Sequence, residues 1–360
     1  MASNTFGIAL RLTTFGESHG AAIGGVLDGF PAGVVIDQSF VEKDMARRRP
    51  GQSSVSTPRS EQDQVSFLSG IFEGRSLGTP IAFIIPNLDT RPNDYNELKD
   101  VFRPSHADFS WQIKYGHRDH RGGGRSSARE TAARVAAGAL AKMLLKPHGV
   151  EILAWVSAIG PLVAAVDHQK VTTEQIESNN ARCPDEAVAM QMIQYIEQLK
   201  AKGDSTGGVV TCLARGVPAG LGEPVFDKLQ ADLAKAMLSI NAVKGFDYGC
   251  GFEAATMKGS VHNDAFATDA AGNIITLTNK SGGIQGGISN GQNIYFRVAF
   301  KPVATISSQQ QTVDKDGTPV KMHVKGRHDP CVVPRAVPIV EAMAALTLAD
   351  HLMRNKISHL

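Results

Sequence analysis

The sequence predicts an α+β fold in which antiparallel sheets pack on central helices. Its strand-like segments alternate apolar and polar residues or run β-branched, and short glycine turns join them where a parallel sheet would need helical crossovers. A helical segment over 127–145 carries Ala132, Ala133, Ala136, Ala137, Gly138, Ala139 and Ala141, which thin several of its faces as close packing on more than one side requires. The same turn and strand signals also recur in the second half of the chain, so two related halves are expected.

Taken in order, a strand at 8–13 leads into the turn Gly16-Glu17-Ser18-His19-Gly20. A β-branched run then meets Gly29-Phe30-Pro31-Ala32-Gly33, and an amphipathic helix follows that ends at Arg47-Arg48-Arg49-Pro50-Gly51. Ser69-Gly70-Ile71, Gly74 and Gly78 precede a strand at 81–85 that Pro86 closes. After the helix at 127–145, residues 151–202 read as an insertion with its own helix near 186–200. Gly216-Val217-Pro218-Ala219-Gly220 repeats the first turn, and Ser281-Gly282-Gly283-Ile284 with Gly287 and Gly291 repeats the second. A strand at 294–300, closed by Pro302, and a helix over about 337–353 complete the chain. The expectation is one domain over 1–360 with halves at about 1–150 and 203–360. Segments 47–59 and 307–327 read as mobile loops.

The chain has 360 residues, 42% of them hydrophobic, enough for a sizeable core. Its four cysteines, Cys183, Cys212, Cys250 and Cys331, show no metal or disulfide spacing, and no apolar run reads as a membrane span or secretion signal. A cytoplasmic protein is expected. Against a formal net charge of +2, residues 103–134 concentrate six arginines, one lysine and three histidines with three acidic residues. So dense a cluster in a nearly neutral chain points to a small, highly anionic ligand. Its centre, Arg121-Gly122-Gly123-Gly124-Arg125-Ser126-Ser127-Ala128-Arg129-Glu130, runs a glycine turn into a helix N-terminus, and Ser127 with Glu130 has capping-box spacing. Arg125 and Arg129, four apart, are expected on one helix face.

His19 and His106, the latter in Arg103-Pro104-Ser105-His106-Ala107-Asp108, lie in turns where a histidine serves structure as readily as chemistry. Near arginines and an anion, either can act as a general acid. Arg47 reads as solvent-facing at its helix end. Arg327 and Asp329, two apart, can hold an anion beside a carboxylate base or simply pair locally. His117 and His120 have metal-compatible spacing, but Arg118 and Arg121 would repel a dication, so no metal site is expected. The arginine-glycine run occurs once and lacks interleaved aromatics, so it does not argue for nucleic acid. Gly249-Cys250-Gly251-Phe252-Glu253-Ala254 lacks a βαβ setting, and no Gly-Lys pair exists for a P-loop.

Seven ordered motifs nonetheless resemble one family over essentially the whole chain. They are the turn at 16–20, Arg48-Arg49-Pro50-Gly51, residues 103–108, residues 121–131, Ser239-Ile240-Asn241-Ala242-Val243-Lys244-Gly245, residues 281–287, and Arg327-His328-Asp329-Pro330-Cys331. This set resembles chorismate synthase. The resemblance implies a β-α-β sandwich, a homotetramer, and a 1,4-elimination turning 5-enolpyruvylshikimate 3-phosphate into chorismate and phosphate with reduced FMN and no net redox change. NADPH enters only as a possible source of reducing equivalents. By resemblance, His19 protonates the departing phosphate, His106 acts on the reduced flavin, and Asp329 helps the flavin take the ring proton. Arg48, Arg49, Arg129 and Arg327 match substrate-binding or flavin-side arginines. Arg125, Ser126, Ser127, Asn241, Ala242, Gly286, Lys301, Pro302, Val303, Ala304, Thr305 and Arg327 fall on flavin-contacting positions. The chain departs from many relatives at Ser54, where they have arginine, and at Val303 and Ala304, where they have hydroxyl residues.

Overall fold

A computed structural model describes residues 3–51, 61–89, 92–323 and 329–358. Its first sheet contains β1 (Arg11–Phe15), β2 (Ala22–Asp28), β3 (Ser66–Phe67) and β4 (Ile81–Pro86) in the order β1-β2-β4-β3, with Thr5–Phe6 beside β1. The second contains β5 (Glu151–Ile159), β6 (Gly208–Arg215), β7 (Val243–Tyr248) and β8 (Ile294–Phe300) in the order β5-β6-β8-β7, with Leu162–Val163 beside β5. All these pairings are antiparallel. Period-two alternation sets which faces are buried: Ile81, Phe83 and Ile85 of β4 and Ile294, Phe296 and Val298 of β8 all point into the core.

Between the sheets lie helices. α3 (Thr131–Leu145) packs on the first sheet, α6 (Val333–Asn355) packs on β5 and β6, and the two pack on each other. Their approach is close because small residues face each other. A Cβ added to Gly138 would lie 2.3 Å from the Cβ of Ala342. α1 (Gln38–Arg48) lies against α3 and α6, and α5 (Leu229–Leu238) joins α6 to β7. Asp37 starts α1 by accepting from the Ser39 and Phe40 N–H groups at 2.9 and 3.3 Å. Two further helices, α2 (Asp108–Tyr115) and α4 (Glu186–Ala201), lie outside this layer. α6 is long and apolar enough to cross a bilayer, but it is buried in protein.

Several expectations change. The stretch read as an insertion from 151 begins with β5, which pairs along its length with β6 and is nearly all buried. Its apolar run has no turn residue to mark it off, and only the part after the Leu162–Val163 strand departs from the sheet. α6 starts at Val333, before the expected 337, because Pro334 suits a first helical turn. The expected loop at 307–327 holds a hairpin, Gln310–Val313 with Pro319–Met322, bridged to Val101 through Asp314. Residues 52–60 and 324–328, which include Ser54 and Arg327, lie outside the described residues.

Candidate active site

A cavity of about 370 Å³ opens where the helical layer meets both sheets. From the N-terminal side its wall takes Arg48 of α1, Tyr95, Arg103, Ser105, His106, Ala107, and Gly122 of the glycine turn with Ser126, Ser127, Ala128 and Thr131. From the C-terminal side it takes Ile240, Asn241 and Ala242 after α5, Phe300 to Thr305 after β8, and Val332, Arg335, Ala336 and Ile339 of the α6 entry.

Backbone constraints place these groups. Gly122 and Gly123 adopt φ of +79° and +123°, and a side chain at either would strike a histidine. A Cβ on Gly122 would lie 2.6 Å from His19 Nδ1, and one on Gly123 would lie 3.2 Å from His106 Nε2. The two expected catalytic histidines thus pack on consecutive glycines. His19 also accepts or donates through Nδ1 with Ser18 Oγ at 3.1 Å and meets the Tyr95 ring edge-on. His106 follows Ser105, whose φ of +55° makes the turn, and its Nδ1 lies 2.9 Å from Asp108.

Ser127 does cap the turn it begins, accepting from the Arg129 N–H at 3.3 Å, but no capping box closes. Residues 128–130 form one tight 3-10 turn before α3, and the Glu130 carboxylate instead takes Thr14 and Arg134. Arg125 and Arg129 therefore diverge. Arg125 reaches back to the Thr14 hydroxyl and carbonyl, lining a second cavity behind His106. Arg129 donates to Asn87 at 2.7 Å, to the Pro86 carbonyl at 3.1 Å, and to Asp63.

Asp63 is one of the residues sequence reasoning missed. Its carboxylate lies between Arg129 and Arg48, the latter at 3.1 Å, and the two guanidinium groups hold it below the ordinary carboxylate range despite its burial. Arg48 is 1% exposed and also donates to the Ala128 carbonyl at 2.5 Å. Burial, with Arg335 and Arg129 nearby, pulls it down to about 9 against the attraction of Asp63, so it stays charged at neutral pH. The acidic Glu61 and Asp63 following a basic loop were the only available signal.

Arg49, expected among the substrate arginines, is exposed at the end of α1 and is not on the wall. Arg47, expected to face solvent, turns inward. It pairs with Glu341 at 2.6 Å, Glu177 at 2.7 Å and Asp44 at 3.3 Å. Asp329 pairs with Arg335, which reaches the cavity and was not anticipated.

Of the flavin-contacting positions, Ser126, Ser127, Asn241, Ala242 and Lys301 through Thr305 all line the cavity. Asn241 donates to the Ser126 carbonyl at 2.9 Å, and its buried Oδ1 has no partner among the described residues. The Lys301 N–H donates to the Ala242 carbonyl at 2.9 Å, and its ammonium donates to the Ser105 carbonyl at 3.1 Å, tying the His106 loop to the second sheet. Besides Arg125, which lines the second cavity, Gly286 is the exception. It sits in a tight hairpin that lines a separate depression with Gln230, Phe246 and Asp264.

At the wall, or linked to it through ion pairs, stand Arg48, Arg129, Arg103, Arg118, Lys301 and Arg335, with Asp63, Asp108 and Asp329. Six cations against three carboxylates leave three positive charges uncompensated among the described residues. Fold and site together define a layered α+β protein with a cationic cavity between its sheets and helices, of a kind suited to a small polyanion. Comparison with known proteins gives the particular family. The chorismate synthase family model matches residues 10–353. Chorismate synthases of Cytophaga hutchinsonii and Christiangramia forsetii are each 59% identical, over 98% and 99% of this chain and the same shares of theirs. A crystal structure of chorismate synthase matches with a TM-score of 0.74 at 32% identity, covering 97% of this chain and 93% of that one. The chain belongs to the chorismate synthase family, and it is accordingly a carbon–oxygen lyase acting on phosphate.

Proposed function

We propose that the cavity at Arg48 and His106 converts 5-enolpyruvylshikimate 3-phosphate to chorismate and phosphate by 1,4-elimination. The observation that carries this is the excess of three positive charges beside two histidines, in a chain of this family. A substrate with two carboxylates and a phosphate monoester brings about −3.5 to −4 charges near neutral pH. Arg48 and Arg129 bind the anion, exchanging part of their hold on Asp63 for it. His19 delivers a proton to the departing phosphate, and the Asp329 carboxylate assists removal of the ring proton.

The cavity suits reduced FMN. Its lining is largely apolar along Phe300, Pro302, Val332 and Ile339, and the orphaned Oδ1 of Asn241 offers an acceptor to a ring N–H. When bound, reduced FMN supplies transient electron donation, which no side chain here possesses. Lys301 to Thr305, Ser126, Ser127 and Asn241 orient it, while His106 holds a proton at its edge. NADPH is a possible reductant of the flavin and has no further role. The protein works as a cytoplasmic homotetramer with neither nucleic acid nor membrane as partner. We also take the matched order of elements, β1-β2-α1-β3-β4-α3 and β5-β6-α5-β7-β8-α6, as an internal repeat that sets one site between two halves.

Anaerobic phosphate release from 5-enolpyruvylshikimate 3-phosphate tests the reading. Turnover is expected with reduced FMN, with no lasting flavin oxidation, and not with oxidised FMN. Equal release without any flavin would overturn it.

A further inference from the structure

Asp108 opens α2, is 3% exposed, and accepts five hydrogen bonds. Arg103 donates through Nε at 2.7 Å, Nη2 at 2.8 Å and its backbone N–H at 3.2 Å. Arg118 donates at 3.3 Å, and the fifth donor is His106 Nδ1. Arg118 is itself anchored by the carbonyls of Leu98, Lys99 and Val101. Held by Arg103 and His106, the Asp108 carboxyl stays far below its usual range and is ionised, so it can only accept. Nδ1 of His106 therefore carries a proton. The lone pair of the neutral ring sits on Nε2, on the far edge toward Gly123, and the ring borders both the main cavity and a second one of about 220 Å³.

We propose that Asp108 is a positioning residue which, clamped by Arg103 and Arg118, fixes the His106 tautomer and leaves Nε2 as the atom that gains and loses a proton at the main cavity. The inference rests on the proposed function only for what that proton serves. Asp108 favours a charged ring most directly. Arg103 and Lys301 oppose it, Arg118 draws on the same carboxylate, and across the second cavity Glu17 and Asp119 face His117 and Arg125. Burial, followed by the repulsion of Arg103 and Lys301, outweighs the carboxylate and holds His106 below its ordinary 6.5. The ring is neutral at pH 7 until an anion enters the main cavity and raises its proton affinity.

Diethyl pyrocarbonate tests this on the ligand-free full-length protein, because it acylates only unprotonated imidazole nitrogen. Carbethoxylation of His106 is followed against pH by peptide mass spectrometry. The midpoint is expected below 6.5 in the parent protein, lower by about one unit in Asp108→Asn, and higher in Arg118→Gln, which keeps the Arg103 pair. Asp108→Glu should restore the parent midpoint in part. In turnover, Asp108→Asn should lose roughly 10²-fold or more in kcat with little change in KM, as for other displaced catalytic histidines. Midpoints unmoved in both Asp108→Asn and Arg118→Gln would overturn the proposal, whatever happens to kcat, and leave Asp108 an anchor for α2. Labelling needs neither substrate nor flavin, so failure of the proposed reaction would show separately.

Discussion

Arg47 and Arg48 are sequence neighbours at the end of α1, yet their side chains enter different buried charge clusters. Arg47 joins Lys142 and Arg182 against Asp44, Glu177 and Glu341, three cations facing three carboxylates between α1, α3 and α6. Arg48 joins the cavity cluster, where cations outnumber carboxylates two to one. Among the described residues the first cluster is balanced and ties the helical layer together. The second carries an excess of positive charge that the proposed anionic substrate would offset. Both clusters are buried, so burial alone does not distinguish them, and local charge balance is the feature on which the proposed division between structural and binding charge rests.

The largest effect should come from unbalancing the complete cluster. Glu341→Ala leaves Arg47 and Lys142 buried with Asp44 as the one carboxylate they still share, and about 3–5 kcal/mol of stability should be lost in urea unfolding. A loss below 1 kcal/mol would show that the cluster does not hold the layers. At the cavity, His19→Ala and His106→Ala should each lower turnover by about 10²- to 10⁴-fold while the circular dichroism spectrum persists. Loss of the spectrum along with activity would assign these histidines to structure instead.

Acid should separate the clusters in a different way. Glu341 is held down to about 2 from an ordinary 4.5 by Arg47 and Lys142, against the opposing pull of burial. Its folded value is depressed, so its stabilisation is complete above pH 4.5 and is lost as pH falls from there toward about 2. Unfolding midpoints of the parent and Glu341→Gln should therefore converge over that window. A gap that stays constant would contradict the pairing. The smallest effect should follow Val303→Thr, which returns a hydroxyl to the cavity wall and should alter FMN affinity by about 0.5–1.5 kcal/mol at most. Equilibrium dialysis would detect a larger change.

Much of this was legible in the chain. Period-two strands, glycine turns and the alanine-rich helix give antiparallel sheets on central helices, and the motifs at 103–108, 121–131, 239–245 and 301–305 converge on one cavity. What escaped depends on long-range partners. Nothing near Arg47 reveals Glu341, 294 residues away, so a helix-end arginine read as solvated. Asp63 and Arg335 act through pairs that only the fold closes. β5 was taken for an insertion because a buried strand with apolar residues on both faces carries no alternation. Gly286 lies in its own hairpin away from the cavity, and the resemblance that named it has no counterpart in the geometry of a single chain.

The contrast between the neighbouring arginines is tested most directly by substrate binding. Equilibrium dialysis of 5-enolpyruvylshikimate 3-phosphate should be run on folded Arg48→Gln and Arg47→Gln side by side. Losing one charge-assisted contact of about 1.5–3 kcal/mol predicts a roughly 10- to 150-fold weaker Kd for Arg48→Gln, with Arg47→Gln within about twofold of the parent and impaired in stability instead. Equal weakening in both variants, or a larger loss in Arg47→Gln, would contradict the division between a balanced structural cluster and an unbalanced binding one.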